Sequence, residues 1–233
     1  AENTETAAVS GAQQIINLLP ICLKSCNSVT ILGPTYNEYE KAFKSSGIKT
    51  QTVSEVSKLS SSDIAIIVNP NNPTGKVIAD ETLEDLSKKV RILIIDESFK
   101  MFSSRKTLNL SNIIQINSLG KFFGLAGLRL GFVSGPSDFI KAVREMLGPW
   151  PVSSLAAEIG IVALNDGVWI SEMEKILVTE SNALHEACNS RNWELVGRTS
   201  LFHTYATSSC LEVEKQFAAH GIWVRTFDYS QTW

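Results

Sequence analysis

Asp63-Ile64-Ala65-Ile66-Ile67-Val68 runs straight into Asn69-Pro70-Asn71-Asn72-Pro73-Thr74-Gly75, and this junction decides the fold class. A strand with one wet face alternates apolar and polar residues. An unbroken apolar run instead marks a strand buried on both faces, as in a parallel sheet covered by helices. The prolines, asparagines and glycine that follow cannot continue a helix or strand, so they form a rigid turn at the strand's carboxyl end. As a turn the segment needs no function. Amide side chains held there are nevertheless well placed to hydrogen-bond a ligand oxygen, and they do so at any pH.

The same strand, turn, helix rhythm lies on either side. Upstream, Val29-Thr30-Ile31-Leu32 stops at Gly33-Pro34, and Thr35-Tyr36-Asn37-Glu38-Tyr39 heads a helix expected to run to Gly47. Tyr36 then falls just past a strand's carboxyl end, the edge at which open α/β sheets bind ligands. An aromatic ring there can stack on a flat heterocycle or simply pack. Nearer the start, Ile15, Ile16, Leu18 and Leu19 follow an amphipathic helical pattern that opens at Ser10 or Gly11, with Ser10 as the expected N-cap. The N–H groups of Gly11, Ala12 and Gln13 would form an anion site backed by the helix dipole, although an ordinary capped core helix starts the same way. A short strand at 48–53 and a polar linker at 57–62 fill the interval.

Downstream, Asp80 is the expected N-cap of a helix over 81–89. Arg91-Ile92-Leu93-Ile94-Ile95-Asp96-Glu97-Ser98-Phe99 then drives four apolar residues into the sheet and delivers two acids at its tip. A buried carboxylate needs a cation or strong donor to meet it. Strand-end acids also serve as helix caps or metal ligands; with no histidine or third acid near, no metal is expected. In Asn117-Ser118-Leu119-Gly120-Lys121-Phe122-Phe123-Gly124-Leu125-Ala126-Gly127-Leu128-Arg129-Leu130-Gly131-Phe132, one lysine and one arginine stand in an apolar, glycine-rich run between two strands. A lysine desolvated in such a pocket becomes an amine nucleophile that forms Schiff bases with carbonyl compounds. The alternative is a solvated loop lysine beside an arginine that pairs with a carboxylate.

The remaining pattern is α+β. Ser137 and Asp138 are expected to cap a helix to 147, and Gly148-Pro149-Trp150-Pro151 marks a crossing. Helices follow at 153–165 and 168–189, the second with Trp169, Met173, Ile176 and Leu177 on one face. Strands near 193–196 and 201–206, a helix over 211–220 stopped by Gly221, and a last segment at 222–227 complete the chain. The expected architecture is α/β: a mostly parallel mixed sheet sandwiched by helices over residues 1–148, with a smaller α+β unit over 149–233.

A chain of 233 residues that is 44% hydrophobic can bury a large core with or without a small second one. A net charge of -3 and the absence of Lys/Arg blocks give no reason to invoke nucleic acid or an anionic membrane, leaving a small molecule as the expected partner. No apolar run approaches the ~20 residues of a membrane span. The acidic start Ala1-Glu2-Asn3-Thr4-Glu5 lacks the features of a signal peptide, so a cytoplasmic protein is expected. Cys22, Cys26, Cys188 and Cys210 are read as free thiols. His185, His203 and His220 fall on separate elements and are read as surface or interface residues. There is no internal repeat and no low-complexity segment.

Taken together, Gly11-Ala12-Gln13, Pro34-Thr35-Tyr36, Asn69 to Gly75, Asp96-Glu97-Ser98-Phe99 and Ser118-x-Gly120-Lys121 with Arg129 eight residues on resemble the ordered motifs of fold-type I pyridoxal-phosphate enzymes. The set is similar to the aminotransferase class I/II enzymes, with an aspartate-aminotransferase-like large domain. Within that class, Gly120 to Phe132 and Gly148-Pro149-Trp150-Pro151-Val152-Ser153 look most like the threonine-phosphate decarboxylases of cobalamin synthesis. The resemblance implies pyridoxal 5'-phosphate as cofactor, with Lys121 bonded to its aldehyde and Asp96 paired with its pyridine nitrogen. It further implies that Asn72 bonds the ring hydroxyl and that Tyr36 stacks on the ring. The Gly11-Ala12-Gln13 helix start, Ser118 and Arg129 would hold the phosphate, which suits the fixed, permanently charged fork of an arginine.

The likeness also implies a homodimer and an amino-acid phosphate substrate. The expected reaction is decarboxylation of L-threonine O-3-phosphate to (R)-1-aminopropan-2-ol O-phosphate; the alternatives are histidinol-phosphate-type transamination and a catalytically silent relative. Two departures bear on the site: Phe99 stands where aminotransferases usually have a tyrosine, and Gly120 where a serine is common. The family usually carries an N-terminal arm before the first helix and, beyond the last residues here, an arginine for the substrate carboxylate. The sequence is therefore expected to be a shortened form.

Overall fold

The computed structural model describes residues 4–105, 108, 111–191 and 193–233; of the acidic start, residues 1–3 lie outside these. Its large sheet contains β1 (Thr4–Val9), β2 (Ser28–Leu32), β3 (Lys49–Val53), β4 (Ile64–Val68), β5 (Ile92–Asp96), β6 (Ile113–Ser118) and β7 (Gly131–Pro136). The strand order is β1-β7-β6-β5-β4-β2-β3. Strands β6, β5, β4, β2 and β3 are mutually parallel, and β7 runs antiparallel to both β6 and β1. This is the mostly parallel mixed sheet flanked by helices that the sequence led us to expect.

The unbroken apolar run explains why. Along β4 every residue is buried, and the side chains alternate between two cores: Ile64, Ile66 and Val68 enter one, while Ala65 and Ile67 enter the other. The first core is closed by α1 (Ala12–Cys22), α2 (Glu38–Ser45) and α4 (Ser137–Leu147), through Ile15, Ile16, Leu19, Tyr39, Phe43, Ile140 and Val143. The second is closed by α3 (Asp80–Ser87) and the short turn before β4, through Leu83, Leu86 and Leu59. Each fully buried branched side chain contributes about 1.5–3 kcal/mol relative to exposure, so neither face of β4 can be stripped without loss.

A third cluster joins Leu119, Phe122, Phe123 and Leu130 to helix α6 (Gly167–Asn189) through Ile170, Trp169, Met173 and Leu177. Helix α5 (Ser154–Asn165) precedes it, capped by Ser153, whose hydroxyl accepts the Ala156 N–H at 3.1 Å. A separate two-stranded sheet, β8 (Glu194–Arg198) and β9 (His203–Ala206), followed by α7 (Cys210–Ala219), lies beyond. Among the described residues no helix is long and apolar enough to cross a membrane.

Several local expectations need correction. Strand β1 is absent from the sequence reading; only Ala7 and Val9 of its six residues are buried, too few to stand out as a pattern. Gly11 (φ 79°), not Ser10, occupies the N-cap of α1, and the Ser10 N–H donates instead to Gln14 Oε1 at 2.6 Å. Helix α2 begins at Glu38 rather than Thr35, because the Thr35 hydroxyl donates to Asn71 Oδ1 at 2.6 Å and so belongs to the neighbouring turn. Asp80 is the first residue of α3 rather than its cap, with Ala79 in the N-cap position. That helix stops at Ser87, whose carbonyl is taken by the Asn112 amide at 2.7 Å. Pro136 occupies the N-cap position of α4, with Ser137 and Asp138 inside its first turn. Ile176 is 51% exposed, at the margin of the α6 stripe, and Ile170 is buried in its place. Segment 222–227 forms no strand; an isolated bridge pairs Phe227 with Ser230.

Candidate active site

The carboxyl ends of β2, β4, β5 and β6 open into one cleft of about 600 Å³. Of the residues singled out above, Ala12, Gln13, Tyr36, Asn72, Asp96, Ser118, Lys121 and Arg129 all line it, although they are scattered over more than a hundred positions of sequence. Gly11 stands directly behind Arg129. A Cβ at Gly11 would fall 2.6 Å from Nη2 of Arg129, and its φ of +79° is one that side-chain-bearing residues rarely adopt. Glycine is thus what allows the guanidinium to lie against the start of α1. Arg129 itself is held in the left-handed region (φ 53°, ψ 53°), and its Nη1 donates to the Ala126 carbonyl at 3.1 Å.

The paired acids at the end of β5 divide sharply. Glu97 points into the protein, 1% exposed, where it accepts from Lys100 Nζ at 2.6 Å and from Gln115 Nε2 at 3.2 Å. Burial raises its pKa and the Lys100 partner opposes that rise. Asp96 faces the cleft with two buried donors: the Tyr39 O–H reaches Oδ2 at 2.7 Å and the Ser98 N–H reaches Oδ1 at 2.8 Å. Burial and the Asp96 charge raise the Tyr39 pKa well above its ordinary value, so the hydroxyl stays protonated and can only donate to that oxygen.

The three asparagines divide in the same way. Asn69 is tied to Ile78, its amide donating to the carbonyl and its oxygen accepting the N–H, both at 2.9 Å. Asn71 accepts from Thr35 at 2.6 Å and donates to the Pro34 carbonyl at 2.9 Å and to the Thr74 hydroxyl at 2.8 Å. Both hold the turn; Asn72 is the one that lines the cleft. Tyr36 is fixed through its hydroxyl, which donates to Gln13 Oε1 at 2.9 Å; burial, with Glu38 nearby, raises its pKa. Ser118 Oγ accepts the Gly120 N–H at 3.1 Å.

The apolar residues beside Lys121 do not pack over it: Phe122 and Phe123 turn away to pack on each other and on Trp169, with ring centroids 5.0 to 5.8 Å apart. Lys121 is left exposed in the cleft, its Nζ 5.1 Å from the centroid of Phe99.

The opposite wall was not legible as a site. Trp193, Phe202, His203, Tyr205, Arg225, Phe227 and Trp233 all line it, so His203 is a cleft residue rather than a general surface histidine. Phe202 meets Phe99 edge-on at 4.9 Å, closing the cleft beside Lys121. The Arg225 charge acts on both Tyr36 and Tyr229. One of these omissions had a signal. Arg225 is a lone cation directly after the apolar run Ile222-Trp223-Val224, much as Lys121 stands alone in its own apolar stretch. Among the described residues no group of three or more His, Cys, Asp or Glu is placed to hold a metal ion.

Comparison with known proteins gives the arrangement its family. The model for "Aminotransferase class I and II" matches residues 1–231. A threonine-phosphate decarboxylase from Sinorhizobium sp is 32% identical over 235 residues, covering 97% of this chain and 70% of that protein. A histidinol-phosphate aminotransferase from Buchnera aphidicola is 28% identical over 184 residues, covering 70% of this chain and 52% of that protein. In fold, the crystal structure of the histidinol-phosphate aminotransferase from Clostridium acetobutylicum superimposes with a TM-score of 0.84 at 23% identity, over 96% of this chain and 74% of that one. The chain belongs to the aminotransferase class I and II family, enzymes that act through pyridoxal phosphate.

Proposed function

We propose that the cleft binds pyridoxal 5'-phosphate and decarboxylates L-threonine O-3-phosphate to (R)-1-aminopropan-2-ol O-phosphate, a step of cobalamin synthesis. The observation that carries the cofactor reading is Asp96: a buried carboxylate, oriented by Tyr39 and Ser98, presented to a cleft that also holds an amine. A carboxylate so fixed suits a protonated pyridine nitrogen, which it would keep charged. Arg129, Ser118 and the N–H groups of Ala12 and Gln13, with Gly11 behind them, fit a phosphate: a guanidinium, a hydroxyl and a helix start converge at one end of the cleft. Asn72 would take the ring hydroxyl, and Tyr36, anchored by Gln13, the ring face. Lys121 Nζ would bond the aldehyde carbon.

Bound there, the cofactor's ring supplies an acceptor for the electron pair released when a bond at the substrate's α-carbon breaks. In decarboxylation the bond between the α-carbon and the carboxylate breaks, carbon dioxide leaves, and Lys121 Nζ, or water beside it, returns a proton to the α-carbon. Arg225, exposed on the far wall and close enough to influence Tyr36, would meet an anionic group of the substrate. Support for threonine phosphate comes from the 32% identity to a decarboxylase of that name over nearly the whole chain. A second reading, transamination of histidinol phosphate or a related amino acid, is favoured by relatives of that name. In it Lys121 Nζ would carry the α-proton to the cofactor instead.

We further propose a homodimer in a soluble setting, with a second copy covering Trp150 (89% exposed) and the apolar residues Leu155, Ile161 and Val162 on and before α5. Sedimentation of the purified protein tests this, and a monomer at micromolar concentration overturns it. For the reaction, the loaded protein is incubated with L-threonine O-3-phosphate. Carbon dioxide release without conversion of the cofactor to its pyridoxamine form is the expected result. Conversion without carbon dioxide would replace decarboxylation by transamination.

A further inference from the structure

One chain of polar side chains on the cleft wall is left unused by the proposed function, on whose reading of the cleft as a site for a phosphorylated amino acid the following rests. Strand β9 places His203 and Tyr205 two residues apart, on one face, and both line the cleft. Behind them α6 contributes Ser181, His185 and Asn189. The contacts run Asn189 Nδ2 to His185 Nε2 (3.5 Å), His185 Nδ1 to the Tyr205 hydroxyl (2.9 Å), Tyr205 hydroxyl to His203 Nδ1 (3.3 Å), His203 Nε2 to Ser181 Oγ (2.7 Å) and Ser181 Oγ to the Thr199 carbonyl (3.3 Å).

With both imidazoles neutral, the two ends set the direction of every link. An amide nitrogen can only donate and a carbonyl can only accept. Hence Asn189 donates to His185 Nε2, the His185 Nδ1–H to Tyr205, the Tyr205 O–H to His203 Nδ1, the His203 Nε2–H to Ser181, and the Ser181 O–H to Thr199. Both imidazoles are neutral in this pattern, with tautomers assigned by the network. The charged and titratable groups around His203 agree with it. Burial, Arg198 from β8 and His185 from α6 all lower the His203 pKa. Burial and Cys188 on α6 push the Tyr205 pKa up to about 12, so the hydroxyl keeps its proton at any working pH.

This order has one consequence for an anion. In the neutral state the Tyr205 proton is held inside the wall, by His203 Nδ1 or by the neighbouring Cys188 sulfur, rather than presented to the cleft. We infer that His203 and Tyr205 form a proton-coupled anion contact: when an anionic substrate group enters, His203 takes a proton from solvent on Nδ1, and the Tyr205 O–H turns into the cleft to meet the anion. The phenolic oxygen then accepts from both His185 Nδ1–H and His203 Nδ1–H through its two lone pairs. No link of the chain is lost, the wall gains one positive charge, and one donor is freed. Binding of a phosphorylated amino acid is therefore accompanied by uptake of a proton. Affinity is highest below the free-state pKa of His203 and falls as pH rises through the raised, bound-state value.

The test uses the cofactor-loaded protein with ¹³C-labelled histidine, titrated by NMR with and without sulfate, a dianion that does not itself titrate in this range; His203→Gln assigns the resonance. Sulfate is expected to raise the His203 pKa by about one unit, the effect of an opposite charge within ~4–6 Å. In Tyr205→Phe the sulfate affinity is expected to fall about tenfold, the loss of a hydrogen bond to a charged acceptor. A His203 titration indifferent to sulfate overturns the contact. Equal sulfate affinity in Tyr205→Phe overturns the part given to Tyr205. Neither readout needs turnover, so failure to release carbon dioxide would remove the proposed reaction without deciding this one.

Discussion

The two walls of the cleft are built on different principles. The floor, at the ends of β2, β4, β5 and β6, is made of side chains pinned by hydrogen-bond partners: Asp96 by Tyr39 and Ser98, Tyr36 by Gln13, and the turn after β4 by Asn69 and Asn71. The far wall, from β9 and the segment after α7, is aromatic and half-exposed. Its polar residues are held in a chain in which each group depends on the proton of the next. A floor pinned to a two-sided core presents fixed geometry. A wall resting on a two-stranded sheet and one face of α6 can change hydrogen-bond direction without moving backbone. The floor thus suits a resident cofactor, and the wall a substrate that comes and goes.

The largest effect should come from the floor. Lys121→Ala removes the amine and, on the proposed function, should lower turnover by about 10⁴-fold or more, the scale on which a lost nucleophile is felt. Borohydride treatment should trap no adduct in the variant, with circular dichroism unchanged because Lys121 is exposed and packs into no core cluster. A persistent adduct would assign the nucleophile elsewhere. Next in size, Asn71→Ala removes three hydrogen bonds that join Thr35, Pro34 and Thr74, and should destabilise the fold by about 2–3 kcal/mol in urea unfolding. Asn72→Ala should leave stability within ~0.5 kcal/mol and weaken cofactor binding instead. If the two variants behave alike, the division between turn-holding and cleft-facing asparagines is wrong.

Tyr39→Phe is somewhat milder. It deletes the donor to Asp96 Oδ2 while keeping the ring in the core, and an oxygen of a buried carboxylate left unpartnered costs about 1–3 kcal/mol. Gly11→Ala forces a Cβ toward the Arg129 guanidinium at a positive φ, and should cost about 1–2 kcal/mol together with a loss of cofactor affinity. Retained affinity in that variant would place the phosphate away from Arg129.

The floor residues at the ends of β2, β4, β5 and β6 were legible in the sequence because each follows a recognisable strand, whereas Gly11-Ala12-Gln13 could be read only as a helix start. Ile64–Val68 announces β4, so whatever comes next must stand at its carboxyl end, and the same holds for Asp96 after Ile92-Leu93-Ile94-Ile95. What sequence could not say is which of two adjacent similar residues turns inward. Asp96 and Glu97 differ in role because Lys100 and Gln115 lie on one side and Tyr39 on the other, and those neighbours are set by tertiary packing. The exposure of Lys121 was unreadable for the same reason: Phe122 and Phe123 find Trp169, almost fifty residues away, and abandon the lysine. On the far wall the strands are short and half-buried, so neither their register nor the depth of His203 leaves a pattern of apolar residues to follow.

The smallest predicted effect distinguishes the walls by pH. The His203 pKa is depressed in the folded protein by burial, Arg198 and His185, whereas an unfolded chain has the ordinary value near ~6.5. Above that value neither state binds the proton and the group contributes nothing to pH dependence. As pH falls below it, the unfolded chain is protonated first, so stability declines until the folded-state pKa is also passed. His203→Asn should flatten this part of the stability profile in the cofactor-loaded protein without sulfate. Addition of sulfate to the wild type should flatten it too, because an anion on the wall brings the folded-state pKa back toward the unfolded one. Comparable changes on varying Asp96 or Tyr36 would mean that the acid sensitivity belongs to the floor, and that the wall's histidine is as firmly set as the cofactor's side of the cleft.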